Sequence, residues 1–185
     1  MDAEELLKRY ADGERDFSGI KLTGTKLQGA NLKGINLSHA TLTQVKLQGA
    51  NLTQAILNSS SFELADLSHA VMDEANLSKA SLCDCNLMGA SLERVNMSHA
   101  MLQLLNAEDV NLRNANLENS IIVETSLDRA ILEGANLTNA MLTESNLDYA
   151  NLRGAIVTDC DLSEPYKLNT IMPDGQVVSD PSYKP

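Results

Sequence analysis

Three kinds of residue in this chain could do chemistry. His39, His69 and His99 could bind a metal or move protons, and Cys83, Cys85 and Cys160 could act as ligands or nucleophiles. Two series of acids recur at multiples of twenty residues: Asp84, Glu124, Glu144 and Glu164, then Glu108, Asp128 and Asp148 with Asp109 beside them. Each group is weaker than it first looks. The cysteines are odd in number and lack metal-binding spacing, the histidines lie thirty residues apart, and no nucleophile has a base beside it. No glycine-rich phosphate loop and no basic, aromatic-laced patch occurs, so neither a nucleotide nor nucleic acid is expected as a direct ligand.

What positions all these residues is a period of five. From Phe17 to Leu162 every fifth residue is apolar, thirty in succession and twenty-three of them Leu. The exceptions are Phe17, Phe62, Met72, Met97, Ala107, Ile122 and Val157. Two residues before each comes a small residue, Ala in sixteen cases, and the residue between is often Asn. Five is neither a helical period nor a strand alternation, so it declares a repeat architecture. Both series must face inward, which a chain turning about a right angle every five residues achieves. Four units then close a coil of twenty residues, and coils stacked at roughly 4.8 Å bury a continuous column. Thirty units predict seven to eight four-sided coils in a rod of about 35 Å.

Units such as Ala30-Asn31-Leu32-Lys33-Gly34 and Ala135-Asn136-Leu137-Thr138-Asn139 resemble the pentapeptide repeat family, over about residues 15–164. The resemblance implies an all-β fold, a right-handed quadrilateral β-helix. The opening Glu5-Leu6-Leu7-Lys8-Arg9-Tyr10, followed by Gly13-Glu14-Arg15-Asp16-Phe17, is similar to the helical cap of cyanobacterial members. Thr170-Ile171-Met172-Pro173-Asp174-Gly175 resembles their tail. The expected division is a helical cap over 1–14, the repeat helix over 15–164, and a C-terminal cap and tail over 165–185. A cap helix with Leu6, Leu7 and Tyr10 on one side would cover the open edge of the first coil. Pro165 removes a donor at a small-residue position, so the ladder is expected to stop there. Tyr166, Leu168, Ile171 and Met172 would fold back over the last coil, with Gln176 onward loose or along the surface.

Sorted by coil, the outward residues carry the functional information. His39 and His99 share a face three coils apart, roughly 14 Å at strand spacing and too far for one metal; His69 lies opposite. Cys85 and Cys160 take small inward positions while Cys83 points out, so reduced thiols are expected. Leu105 and Ala107 exchange the usual sizes, which either repacks the core locally or makes a bulge. Met101, Ile121 and Met141 should stack into an apolar ladder, with Leu104 and Val123 on the same face. Residues 17–60 hold four Lys and no acid, whereas 61–164 hold seventeen acids and five bases. Stacked like charges cost stability unless solvated, so the acid series are either a functional surface or a solubilising one.

The candidate partner surface is therefore Met101, Ile121, Met141 and Val123 with Asp84, Glu124, Glu144 and Glu164. A non-catalytic protein-interaction module with a regulatory role is the leading expectation, with no cofactor, metal or membrane. A homodimer through a coil end or the Met101–Ile121–Met141 face is a further option. The resemblance also implies an alternative, because some family members that protect against fluoroquinolones mimic DNA and bind DNA gyrase; a structural spacer is the third reading. The chain has a net charge of −11, no long apolar run and an acidic N-terminus unlike a signal peptide, so a cytoplasmic protein is expected.

Overall fold

The computed structural model describes residues 1–179. The twenty-residue period appears as parallel pairing between residues preceding core positions and their equivalents one coil on, interrupted at Met141. The series runs from Asp16 with Asn36 through Asn51 with Val71 to Asn151 with Ile171. The backbone amides of a unit can be followed one by one. Asn51 N donates back to Ala30 O at 2.9 Å, Leu52 N forward to Val71 O at 2.7 Å, and Gln54 N to Asp73 O at 2.9 Å. Ala55 N closes the turn on Leu52 O at 2.9 Å. The remaining amide, that of Thr53, is taken by Asn51 Oδ1 at 3.0 Å. This explains the recurrent Asn: its side chain accepts the one N–H the backbone leaves over. Asn136, Asn116 and Asn96 also donate side-chain amide to carbonyl down a ladder that ends on Asn76 Oδ1, at 3.3–3.4 Å.

The corner residue of each unit adopts the left-handed conformation. Glycine suits it at Gly24 and Gly34, while His39, His69, His99 and Leu104 hold φ values of 56–58°. Inside, Leu residues from Leu22 to Leu152 are almost completely buried, with Phe62 and Met72 in the same column. Each such side chain gains roughly 1.5–3 kcal/mol from burial, and only the stack supplies that burial.

The N-terminal cap is α1, Ala3–Ala11, started by Asp2, whose side chain accepts from Glu5 N. Leu6 is fully buried, and the Tyr10 hydroxyl donates to Lys33 O at 2.7 Å. Leu7 does not join them and stays 37% exposed. It lies one residue, about 100°, round the helix from Leu6, whereas Tyr10 lies four residues on and returns to the same side.

At β1 (Met101–Gln103) and β2 (Ile121–Val123) pairing widens from single bridges to three residues: Met101 with Ile121, Leu102 with Ile122, Gln103 with Val123. The cause is the corner that follows. The Thr125 hydroxyl donates to Leu102 O at 2.7 Å and the Ser145 hydroxyl to Ile122 O at 3.0 Å. These hydroxyls supply the contact that a turn amide supplies elsewhere, so the chain stays extended longer. The Leu105–Ala107 exchange lies beside it and is a repacking, because pairing keeps its interval of twenty at Met101, Asn106 and Asn111. Both residues are buried, beside a cavity of about 20 Å³.

Pro165 does not stop the ladder. Tyr166 N donates to Ser145 O at 2.9 Å, Ile171 N to Ala150 O at 2.9 Å, and Gly154 N to Pro173 O at 2.9 Å. In the regular units the small-residue amide closes its own turn, as Ala55 N does on Leu52 O, and bonds no carbonyl of the next coil, so a proline there removes nothing from the backbone ladder. The chain then folds back as β3 (Thr170–Ile171) antiparallel to β4 (Val177–Val178), so Gln176 onward is not simply loose. Residues 180–185 of that expectation lie outside the described residues. Tyr166 faces outward, 46% exposed, rather than covering the last coil.

Candidate partner-binding face

β1 and β2 build the face that the outward ladder predicts. Met101, Ile121 and Met141 stack in register and are 44%, 36% and 52% exposed. Val123 is half-buried on the same side, and Leu104 projects from its left-handed corner, 51% exposed. Asp84, Glu124 and Glu144 hold corners of one column, which Leu104 interrupts between Asp84 and Glu124, and Glu164 lies beyond it in a segment that does not pair with the Glu144 coil; all four acids are exposed. Among the described residues none of these four carboxylates has a hydrogen bond or ion pair. Glu124, Glu144 and Tyr166 line a shallow depression of about 380 Å³ beside them.

The second acid series is different. Arg129 gathers it, with Nε 2.8 Å from Asp109 Oδ1, Nη2 3.6 Å from Glu108 Oε2, and a bond to Asp128. The guanidinium holds the Asp109 carboxyl below its usual range. Arg113 does the same for Glu133 across one coil at 2.9 Å, and Arg94 reaches Glu74 at 3.0 Å. Asp148 is buried at 6% exposure, its Oδ1 without a hydrogen-bond partner among the described residues. This series is thus largely ion-paired or buried, whereas the first has no ion pair among the described residues.

Other chemistry-bearing residues do not converge. His39, His69 and His99 occupy separate corners; the His69 ring lies where a Cβ on Gly89 would sit, 2.6 Å from Nδ1. Among the described residues no three metal-ligating side chains come together. Cys85 is buried, its thiol donating to Phe62 O at 2.9 Å, and burial pushes its pKa up to about 12. Burial likewise raises Cys160 to about 11. Cys83 is half-buried, and all three are free thiols. No helix among the described residues is long and apolar enough to cross a membrane.

Sequence reasoning missed the region after Met141. Lys167 follows Leu162 in the core register, a buried position that Leu holds elsewhere. Its ammonium donates to Leu162 O at 2.8 Å and Pro165 O at 2.7 Å. A Lys in a Leu column was the visible signal that the coil departs from its pattern there.

A model of pentapeptide repeats matches in eight copies, among them residues 16–54, 35–72, 46–82, 70–104, 111–148 and 120–159. The chain belongs to the pentapeptide repeat family. Its square coil is the family's right-handed quadrilateral β-helix. Similar solved pentapeptide repeat proteins include HetL, involved in heterocyst differentiation regulation in the cyanobacterium Nostoc sp. strain PCC 7120. HetL is 28% identical over 96% of this chain and 100% of its own, with a TM-score of 0.35. The protein alr5209, also from Nostoc, is 33% identical over 54% of this chain and 80% of its own, TM-score 0.36. QnrB1, a plasmid-mediated fluoroquinolone resistance protein, is 18% identical over 85% of each chain, TM-score 0.43. No curated protein matches the chain.

Proposed function

We propose that this pentapeptide repeat protein is a non-catalytic interaction module, a rod of seven to eight coils with a regulatory role, that docks a protein partner on the Met101–Ile121–Met141 face. The observation that carries the reading is one face with an exposed apolar ladder and, beside it, four carboxylates that have no ion pair among the described residues. Exposed apolar stripes of this kind suit burial against a partner. A surface held by coil-to-coil hydrogen bonds needs little ordering on binding. The free acid column supplies steering and favours a basic counterpart.

The test is capture of partners from extract of the native cells at two salt concentrations, with Ile121→Asp alongside the unaltered protein. Loss of the specific partner with Ile121→Asp supports the site, whereas undiminished capture contradicts it. A second reading, mimicry of DNA toward gyrase, draws support from the acid column alone, since Arg129, Arg113 and Arg94 pair acids elsewhere. A supercoiling assay without inhibition or protection at micromolar protein removes it. If substitutions on every outward face are tolerated without loss of any partner, the rod is a spacer.

A further inference from the structure

On the docking face, three backbone groups per coil bond the next coil. Ser120 O accepts from Met141 N at 3.0 Å, Ile122 N donates to Met141 O at 2.7 Å, and Glu124 N donates to Thr143 O at 3.1 Å. One coil later the series breaks. The equivalent groups Ala140 O, Leu142 N and Glu144 N have no hydrogen bond among the described residues, although pairing holds just before, at Asn139 N to Thr158 O, and resumes at Tyr166. The segment that would have completed the coil is tied to itself. Asp161 Oδ1 accepts from Ser163 N and Oγ at 2.8 and 2.6 Å, and Lys167 holds the carbonyls of Leu162 and Pro165. Between it and the edge lies a groove of about 210 Å³, lined by Met141, Thr143, Asp159, Asp161 and Glu164 among others.

We propose that the open edge from Ala140 to Glu144 receives an extended, basic and apolar segment of the protein partner as an added β-strand. An unpaired strand edge is a template for main-chain pairing, which sets the extended conformation. Asp159, Asp161, Glu164 and Glu144 set the charge of the occupant. The Ser163 hydrogen bonds keep the Asp161 carboxyl below its usual range, so it is ionised at neutral pH. Met141 ends the apolar ladder at the groove, so an apolar side chain stacked on it would extend Met101–Ile121–Met141 by one rung. A second copy of this chain fits poorly, because its net charge of −11 repels the same acids.

The inference rests on the reading of this face as a docking surface, and its test separates the two. The probe is a nonapeptide alternating Lys and Val, added to the full chain while amide exchange is followed by NMR. In the free protein Leu142 and Glu144 should exchange at least about tenfold faster than Ile122 and Glu124. Saturating peptide should slow both by about tenfold or more, and Asp161→Lys should weaken peptide binding by a similar factor. A peptide N-methylated at alternate residues should not bind. Leu142 and Glu144 amides already protected in the free protein, or equal binding of the methylated peptide, would overturn the edge assignment. A partner lost with Ile121→Asp whose binding leaves the Leu142 amide unchanged would retain the face and overturn the edge.

Discussion

At the scale of single residues, position in the five-residue unit decides what a side chain can do. Cys85 and Cys83 are two residues apart, yet one is sealed in the core and bonded to Phe62 O while the other is half-buried at the surface. Thiolate is the reactive form, and burial that raises Cys85 to about 12 suppresses it. Alkylation of the native protein at pH 8, read by mass spectrometry, should modify Cys83 first and Cys85 only after unfolding. Leu104 makes the opposite point, since it carries a bulky side chain at a left-handed corner that Asn or Gly holds at lower cost. Leu104→Asn should stabilise the rod by about 1 kcal/mol in thermal or denaturant unfolding. The apolar face thus keeps a residue that the backbone alone would not select.

Elements here are coils, and their energetics show in the Leu105–Ala107 exchange. Leu105→Ala empties a buried position and should cost about 2–5 kcal/mol, whereas Ala107→Leu overfills a core with only about 20 Å³ to spare and should cost about 1–3 kcal/mol. The double variant restores the ordinary order of sizes, so its cost should fall clearly below the sum of the two in denaturant unfolding. Additive costs would show that the two side chains do not share one space. Coil geometry was legible in the sequence because Leu and Ala at fixed intervals leave one arrangement that buries them all. The ladder Met101–Ile121–Met141 followed from the interval of twenty. Neither Arg129 gathering three acids nor the hydroxyls of Thr125 and Ser145 replacing turn amides could be read there, since each depends on where a side chain reaches. Pro165 misled because its effect depends on which amide of the unit serves the ladder. Lys167 stands out in the Leu column, but the backbone carbonyls that its ammonium holds have no signature in the sequence.

For the whole molecule, charge is the property that distinguishes one region from another. Several carboxylates that bridge coils lie below their usual range: Asp109 through Arg129, Glu74 through Gln54 and Arg94, Glu133 through Arg113 and Asn151. A carboxylate whose folded pKa is depressed adds stability above its unfolded value, and that stability is lost as pH falls through the folded one. The melting temperature should therefore stay level from pH 7 to about 5 and decline below about 4, where the unfolded carboxylates take up protons first. Asp84, Glu124, Glu144 and Glu164 stand outside these bridges, which leaves their charge available to a partner.

The central claim is that one face of the rod, an apolar ladder with acids beside it, holds the partner. Its most direct measurement compares the affinity of the captured partner for four proteins: unaltered, Ile121→Asp, Glu124→Lys with Glu144→Lys, and Ile56→Asp on a different face, where Ile56 is 43% exposed against 36% for Ile121. Both changes on the proposed face should weaken binding about tenfold or more, with the charge reversal acting mainly at low salt, and Ile56→Asp should leave it unchanged. Equal affinity for all four, or a loss confined to Ile56→Asp, would contradict the account.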